Sequence, residues 1–434
     1  MKGVLELSGE PWTLESSIEE LFVAASSDSP ALQSLKISKF DIDTTVAANV
    51  IKVLRKHDGL TTLSLEGCTG HFDTIVSVAL TTNLKALSVS ISKLSTVAFT
   101  SCAHALGVGL QVTSNLEKLV IQSMSNVPFT LSSEAAMSLE QGLVGNSTLR
   151  TLHIQFCRFG CSTAIRSLSR GLRSHRSLKN VKFRSCFYAN GHTLNDSGLA
   201  ELIRALDHSP QLDALDLSGN KCLHHGIAAL ATLLNRTKLR ILDLSCQSID
   251  ENEFMNLSLL VAALGRNSCL ESLELRFNKL SDQDMAYLAA ALSHNTSIKF
   301  VGLAGNRITN TGISILASRI PVMSGLSKLV LTNNHFDHEG ALALARALEV
   351  NWTLHSVECD PSIRNYESVR YFADLNWGGR RFLLGKNYKN ALVPTLWPLV
   401  FERLNAFVIE DNGKERQASV IYCLLRNGSA LFPT

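Results

Sequence analysis

The stretch Leu212-Asp-Ala-Leu-Asp-Leu-Ser-Gly-Asn220 decides the fold, because the same pattern returns along most of the 434-residue chain. Clear copies begin at Leu270, Ile298 and Leu326, with apolar residues at the first, fourth and sixth positions and Asn at the ninth. Twelve units, about 29 residues apart on average, can be placed by their first apolar residue. They begin at Leu32, Leu60, Leu84, Leu116, Leu149, Leu178, Leu212, Leu239, Leu270, Ile298, Leu326 and Leu354.

A unit of this length accommodates a strand and a full α-helix, whereas units of about 20–24 residues have room only for a strand and an extended return. Between the strands, Gly340-Ala-Leu-Ala-Leu-Ala-Arg-Ala-Leu348 has apolar residues at helical spacing. Asp282, Thr309 and either Asn195 or Asp196 are predicted N-caps. Leu5-Glu-Leu7 is interpreted as the end of one further unit. Such units stack into a solenoid and bury their apolar rows against each other.

These residues resemble the leucine-rich repeat pattern, and the match covers roughly residues 1–360. The phrase Asn306-Arg-Ile-Thr-Asn-Thr-Gly312 is similar to that of the ribonuclease-inhibitor subfamily. The resemblance implies an α/β solenoid of horseshoe form, with a concave parallel β-sheet, convex α-helices and about 12 repeats of about 28–29 residues. We therefore predict a leucine-rich repeat solenoid over residues 1–360.

The segment 361–434 breaks the repeat, and we predict a mainly helical capping region there, with a helix over 366–374. Its Asn376-Trp-Gly-Gly-Arg380, Leu396-Trp-Pro398 and Leu424-Leu-Arg-Asn-Gly428 elements resemble the tail of leucine-rich repeat proteins from diatoms and related algae. That resemblance implies no function. Four basic residues could instead form a peptide- or phosphate-binding patch, although capping is the preferred interpretation. They are Arg380, Arg381, Lys386 and Lys389.

Composition excludes several classes of protein. The formal charge of +3 is too small to indicate nucleic-acid binding. No stretch approaches 18 uninterrupted apolar residues, so no membrane insertion is expected. The N-terminal residues lack the apolar core of a secretory signal, which favours a cytoplasmic, reducing location. In that setting Cys68, Cys157 and Cys186, at the ninth position of their repeats, are interpreted as structural thiols that bond to the backbone.

Asn146, Asn235, Asn295 and Asn351 each begin an Asn-x-Ser/Thr sequence. Asn146, Asn295 and Asn351 each stand three residues before the next strand's first apolar residue, where a helix should end. We interpret these three as helix terminators and not as glycosylation sites.

Equivalent residues of successive repeats should form ladders on the concave sheet. At the fifth position Asp216, Asp243 and Glu274 bring three carboxylates onto neighbouring predicted strands, next to a basic step at His153, Lys182 and Arg184. Like charges on adjacent strands reduce stability, whereas a bipolar surface is suited to orienting a charged protein partner. The alternative is a solvated face on which Lys182 and Arg276 neutralise the carboxylates.

No catalytic motif, cofactor loop or metal-ligand spacing is present, so we expect a protein that is not an enzyme and needs no cofactor or metal. The preferred function is an interaction scaffold or recognition module that binds a protein partner through its concave face. One alternative is a GTPase-activating or regulatory protein of the Ran-activator type, for which Arg55 is an ambiguous catalytic candidate and the acidic C-terminal tract is missing. A second alternative is the sensor part of a larger immune-type receptor.

Overall fold

The computed structural model describes residues 4–10, 14–26, 31–91, 96–123, 128–187, 195–247 and 257–377. The chain divides into two compact units, Met1–Asn256 and Leu257–Thr434, which are described separately. The predicted boundary at residue 360 stays a prediction, because most of the segment that follows it lies outside the described residues.

The first unit alternates parallel strands with helices. Its strands are β1 (Val4–Ser8), β2 (Ser34–Ser38), β3 (Asp41–Ile42), β4 (Thr62–Glu66), β5 (Thr69–Gly70), β6 (Ala86–Ile91), β7 (Lys118–Ser123), β8 (Phe129–Leu131), β9 (Thr151–Gln155), β10 (Cys157–Phe159), β11 (Asn180–Arg184), β12 (Ala214–Asp216) and β13 (Ile241–Asp243). Its helices are α1 (Leu14–Ala25), α2 (Thr44–Lys56), α3 (Phe72–Ala79), α4 (Thr96–Val112), α5 (Ser133–Gly145), α6 (Ser162–Ser174), α7 (Asn195–Ala205) and α8 (His224–Arg236).

Nine of these strands form one parallel sheet in the order β1-β2-β4-β6-β7-β9-β11-β12-β13. Burial alternates along most of these strands: in β2, Leu35 and Ile37 are almost fully buried, whereas Ser34, Lys36 and Ser38 are half-exposed. The repeat pattern explains this alternation, since residues two apart along a strand point to the same face. Pairing of β1 with β2 confirms the further unit predicted at Leu5-Glu-Leu7.

The second unit has the same construction, with α9 (Leu257–Leu264), β14 (Ser272–Glu274), α10 (Asp282–His294), β15 (Phe300–Gly302), α11 (Asn310–Arg319), β16 (Lys328–Val330), α12 (His338–Val350), β17 (Ser356–Glu358) and α13 (Tyr366–Trp377). Strands β14 to β17 are parallel and paired in order. Helix α13 confirms the helix predicted over 366–374. The Asn376 amide within it donates to the Asn351 and Leu354 carbonyls, which attaches α13 to the last repeat.

The ninth residue of the repeat forms hydrogen bonds with backbone groups of two neighbouring turns. The Asn220 amide donates to the Phe183 and Leu217 carbonyls at 2.6 Å, and its carbonyl accepts the Cys186 and Phe187 amides at 2.7 and 2.9 Å. Gln247 occupies the same position one repeat later and bonds in the same way.

Thiols also occupy the ninth position. The Cys68 thiol donates to the Ile37 carbonyl at 3.5 Å, and the Cys186 thiol donates to the Ile154 carbonyl at 3.3 Å. Burial raises the pKa of the Cys68 thiol to about 11 and that of Cys186 to about 12. These contacts confirm the structural interpretation for both cysteines.

The predicted helix terminators are buried C-caps. Asn295, after α10, donates to the Leu264 and Asn267 carbonyls and accepts the Ser297 and Ile298 amides. Asn146 and Asn351 cap α5 and α12 in the same way. The exposed fraction of these three side chains is at most 6%. An attached glycan would therefore have to displace the capping bonds.

The N-cap predictions are correct for Thr309 and wrong for the other positions. Thr309 caps α11 by accepting the Thr311 amide. Ser281, not Asp282, caps α10, and α7 already begins at Asn195. Asp282 instead accepts the Thr309 amide and hydroxyl of the following repeat, and Asp196 accepts amides at the start of α8. When repeats stack, an Asp side chain near the start of one helix can reach the N-terminus of the helix in the next repeat as easily as that of its own helix.

The same geometry explains the glycine of the Asn-Thr-Gly312 phrase. A Cβ at Gly312 would lie 2.3 Å from Asp282 Oδ1, and one at Gly226 would lie 2.8 Å from Asp196 Oδ1. Glycine thus leaves room for the capping carboxylate of the preceding repeat.

Replacing Asp196 with alanine is expected to lower the free energy of unfolding by about 1–2 kcal/mol, because α8 loses a charged cap. Its carboxylate accepts the Leu223, His225 and Gly226 amides at 2.7–2.8 Å, and Leu223, the N-cap residue, makes no side-chain cap bond. Urea titration followed by circular dichroism measures the change. The matched control is Asp58→Ala, at an exposed acid before β4. An equal loss in both variants would contradict the prediction.

Candidate protein-interaction surface

The exposed side chains of the sheet in the first unit form a continuous surface, called here the sheet face. Each of its nine strands contributes the fifth residue of its repeat, and the strand register places these residues side by side. The order is Glu6, Lys36, Ser64, Ser88, Val120, His153, Lys182, Asp216 and Asp243. The predicted ladder is therefore present within this unit.

Lys182 and Asp216 form the centre of the predicted bipolar step. The Lys182 ammonium lies 2.7 Å from Asp216 Oδ2. Asp216 Oδ1 accepts the Ser218 amide at 2.9 Å and the Ser218 hydroxyl at 2.6 Å. Burial by itself would raise the pKa of Asp216, but the hydrogen bonds from Lys182 and Ser218 outweigh it and lower that pKa. Asp216 is thus a fixed carboxylate at neutral pH.

Asp243 is the register neighbour of Asp216. Its Oδ1 accepts the Ser245 amide at 2.8 Å, which orients the carboxylate at the end of β13. Arg184 is exposed at the end of β11, and no carboxylate of the described residues lies within salt-bridge distance of it. In the first unit, Lys182 therefore neutralises Asp216, whereas Asp243 and Arg184 are charges that this ion pair does not include.

Glu274 and Arg276 belong to the second unit, where they form an ion pair of 2.7 Å on the exposed side of β14. The pair occupies the space beside Gly302, since a Cβ at that residue would come within 3.0 Å of Arg276 Nε and closer still to Glu274 Oε2. The alternative foreseen from the sequence, in which Arg276 neutralises Glu274, thus describes this pair. A charged row that includes Glu274 and Asp243 stays a prediction.

His153 lies between Val120 and Lys182 on the sheet face. Burial lowers its pKa to about 4, and the nearby Lys182 and Lys118 ammonium groups contribute in the same direction. His153 is therefore neutral at physiological pH. The basic character of this region comes from lysine and arginine, not from the histidine.

The sequence prediction missed cations at the second and third positions of the repeat, because only the fifth and seventh were considered. Four consecutive repeats, beginning at Leu84, Leu116, Leu149 and Leu178, carry six cations and one acid, Glu117, at their second, third, fifth and seventh positions. We call these six residues the cationic patch: Lys85, Lys118, Arg150, Lys179, Lys182 and Arg184. The next two repeats carry Asp213, Asp216 and Asp243 against Arg240 at the same positions, and Arg240 is paired with Asp213.

Amides and hydroxyls form a further row beside the cationic patch. The Gln122 amide donates to the Ser90 hydroxyl at 2.8 Å, and the Gln155 amide donates to the Gln122 carbonyl at 3.4 Å. The next residue in this row, by register, is Arg184. The row provides hydrogen-bonding groups without net charge.

No group of three or more His, Cys, Asp or Glu side chains able to hold a metal is present within the described ranges. Among the described helices, none is long and apolar enough to span a membrane. Arg55 is exposed in the last turn of α2, on the helical side of the first unit. The predicted tail patch of Arg380, Arg381, Lys386 and Lys389 lies outside the described residues.

The alternating strands and helices fit the α/β leucine-rich repeat solenoid fold. A family model described as Leucine Rich repeat matches residues 266–289. No curated protein sequence matches the chain. Two similar solved structures are actin-binding site 2 of leiomodin-1 (19% identity, 32% of this chain, 83% of that chain, TM-score 0.29) and the C-terminal domain of Caenorhabditis elegans tropomodulin (17%, 29%, 78%, 0.27). No function is inferred from either similarity.

Proposed function

We propose that this leucine-rich repeat protein is an interaction module that binds a protein partner through the sheet face of its first unit. The supporting observation is the separation between scaffold and surface residues. The first, fourth, sixth and ninth positions build the core and the turns, whereas the fifth and seventh vary from repeat to repeat and most of them are partly or fully exposed. Residues that the repeat does not need for folding are available for recognition.

The extent and chemistry of the sheet face suit a protein partner. Its nine strands have eight spacings of about 4.8 Å, or roughly 40 Å, which exceeds the width of an interface of ordinary size. The surface combines cations, carboxylates, hydroxyls and amides, and such mixed polarity gives a partner its orientation as well as part of its affinity.

Affinity capture with mass spectrometry tests this function. The wild-type chain is compared with a variant carrying Lys182→Gln, Arg184→Gln, Asp216→Asn and Asp243→Asn, which removes charge of both signs and keeps the net charge. We expect the variant to retain at least about tenfold less of the proteins that the wild type captures, which corresponds to a loss of about 1.4 kcal/mol in binding free energy. The control variant has Glu19→Gln and Glu20→Gln on the exposed side of α1. Equal capture by all three chains would refute the role of the sheet face.

Two finer assignments belong to the same proposal. A ribonuclease-inhibitor-type subfamily is supported by the helix in most of the described repeats. A cytoplasmic, reducing location is supported by the nine described cysteines, which are all free and of which six are buried.

A further inference from the structure

We propose that the cationic patch receives a short acidic segment of the protein partner. This inference rests on the proposed function and adds the chemistry of the ligand. Its basis is the concentration of cations on, or directly before, the four adjacent strands β6, β7, β9 and β11: Lys85, Lys118, Arg150, Lys179, Lys182 and Arg184.

Backbone hydrogen bonds align the outer row of the patch. The Glu117 amide donates to the Lys85 carbonyl, the Arg150 amide to Glu117, and the Lys179 amide to Arg150, all at 2.7–2.8 Å. Residues in this row are therefore direct neighbours across the strands. A second row runs from Lys118 through Thr151 to Asn180, and Lys182 and Arg184 follow on β11.

Most of these charges have no carboxylate partner among the residues that the structure describes. Lys182 is paired with Asp216, but the other five cations have no carboxylate within 4.0 Å among the described residues. Adjacent like charges on a sheet lower stability, so the scaffold gains nothing from this arrangement. The depressed pKa of His153, caused first by burial and then by Lys182 and Lys118, is consistent with a positive potential at this place. An external anion would relieve the repulsion.

The dimensions indicate the length of the ligand. Three strand spacings separate β6 from β11, a distance of about 14 Å. An extended peptide advances about 3.3 Å per residue, so roughly four acidic residues match the patch. The neighbouring amides of Gln122 and Gln155 can hydrogen-bond to the peptide backbone.

A nucleic acid fits less well, because the positive region ends at β11. Asp216 and Asp243 come next, on β12 and β13. A phosphate backbone that continued along the sheet would meet these carboxylates, whereas a peptide can change from acidic to basic residues at this point. A protein partner can carry both acidic and basic side chains and so match this change of charge, whereas a nucleic acid is negative along its whole backbone.

Fluorescence anisotropy with the full chain tests the inference. The probe is a fluorescein-labelled twelve-residue peptide with four consecutive Glu residues in a Gly/Ser frame, and the control peptide has Gln instead. The protein variant is Lys118→Gln, Arg150→Gln, Arg184→Gln. Its matched control loses three exposed cations of the helices, through Lys52→Gln, Arg173→Gln and Arg346→Gln. Circular dichroism verifies that both variants fold.

We expect the Glu peptide to bind the wild type and the helix variant equally, and the patch variant about tenfold more weakly, since three exposed ion pairs of about 0.5 kcal/mol each are lost. Raising NaCl from about 20 to 150 mM should weaken binding by shortening the Debye length. No binding, equal binding of the Gln peptide, or loss in the helix variant would overturn the inference. Tighter, patch-dependent binding of a six-nucleotide oligothymidylate would overturn it in favour of nucleic acid. The capture experiment judges the proposed function independently of this probe.

Discussion

Replacing Asn220 with alanine is expected to lower the free energy of unfolding by about 3–5 kcal/mol. The side chain is fully buried and bonds to two carbonyls and two amides in adjacent turns. Alanine removes the Asn220 partner from the Phe183 carbonyl and from the Cys186 and Phe187 amides in a place that water does not reach, whereas the Leu217 carbonyl keeps the Gln247 amide. Each unpaired group costs about 1–3 kcal/mol before relaxation. Urea titration with circular dichroism measures the difference.

Two further variants distinguish loss of hydrogen bonds from general damage. Asn235→Ala, at an exposed position of α8, should change stability by less than about 0.5 kcal/mol. Asn220→Cys introduces the residue that Cys186 supplies one repeat earlier, whose thiol donates to carbonyls. A thiol accepts weakly, so an intermediate loss is expected. A loss below about 1 kcal/mol for Asn220→Ala would contradict the turn mechanism.

Acidification is expected to destabilise the protein through His175. Its ring is almost fully buried at the end of α6, and burial lowers its pKa to about 4. The unfolded chain binds a proton at this residue below a pH of about 6.5, whereas the folded chain stays neutral until about 4. The unfolded state therefore gains protons first, and stability falls as the pH drops through this window. His175 should account for about 2 kcal/mol of the loss in unfolding free energy from pH 8 to pH 5.

The variant His175→Asn isolates this contribution, because Asn146, Asn295 and Asn351 occupy the same helix-exit position in other repeats. Unfolding free energies at pH 8 and pH 5 should differ by about 2 kcal/mol less in this variant than in the wild type. His104→Asn, on the exposed side of α4, serves as the control and should keep the full pH dependence. Identical pH dependence in all three proteins would show that His175 does not titrate as inferred.

The sequence predicted the repeated strand and helix well, because their signals are local and occur many times. Each Leu-x-x-Leu-x-Leu phrase specifies an alternating strand, and Asn220 or Cys186 at its end specifies the turn. The positions of Asn146, Asn295 and Asn351 as helix terminators were predictable for the same reason. Thr309 was correct as an N-cap, since a cap within one helix depends only on neighbouring residues.

Contacts between repeats were predicted less well. Asp196 and Asp282 have the right chemistry for N-caps, but both accept backbone amides of the next repeat, and Ser281 caps α10. A residue about 27 positions away is adjacent only after the units stack, so no local pattern reveals it. Gly226 and Gly312 show the same dependence, because the space they leave is filled by the carboxylate of the preceding repeat.

The same distinction between local sequence signals and contacts between repeats applies to the candidate surface. The sequence by itself determined which residues face solvent, because two-residue alternation fixes the side of the sheet on which His153, Lys182 and Asp216 lie. Only the tertiary structure decided which charges meet: Lys182 is neutralised by Asp216, whereas Lys118, Arg150 and Arg184 have no carboxylate within salt-bridge distance among the described residues. The physical reason is the distance along the chain over which each property is set. The fold of one repeat depends on the periodicity of nearby residues, whereas the electrostatic potential of the surface sums charges from several repeats placed side by side.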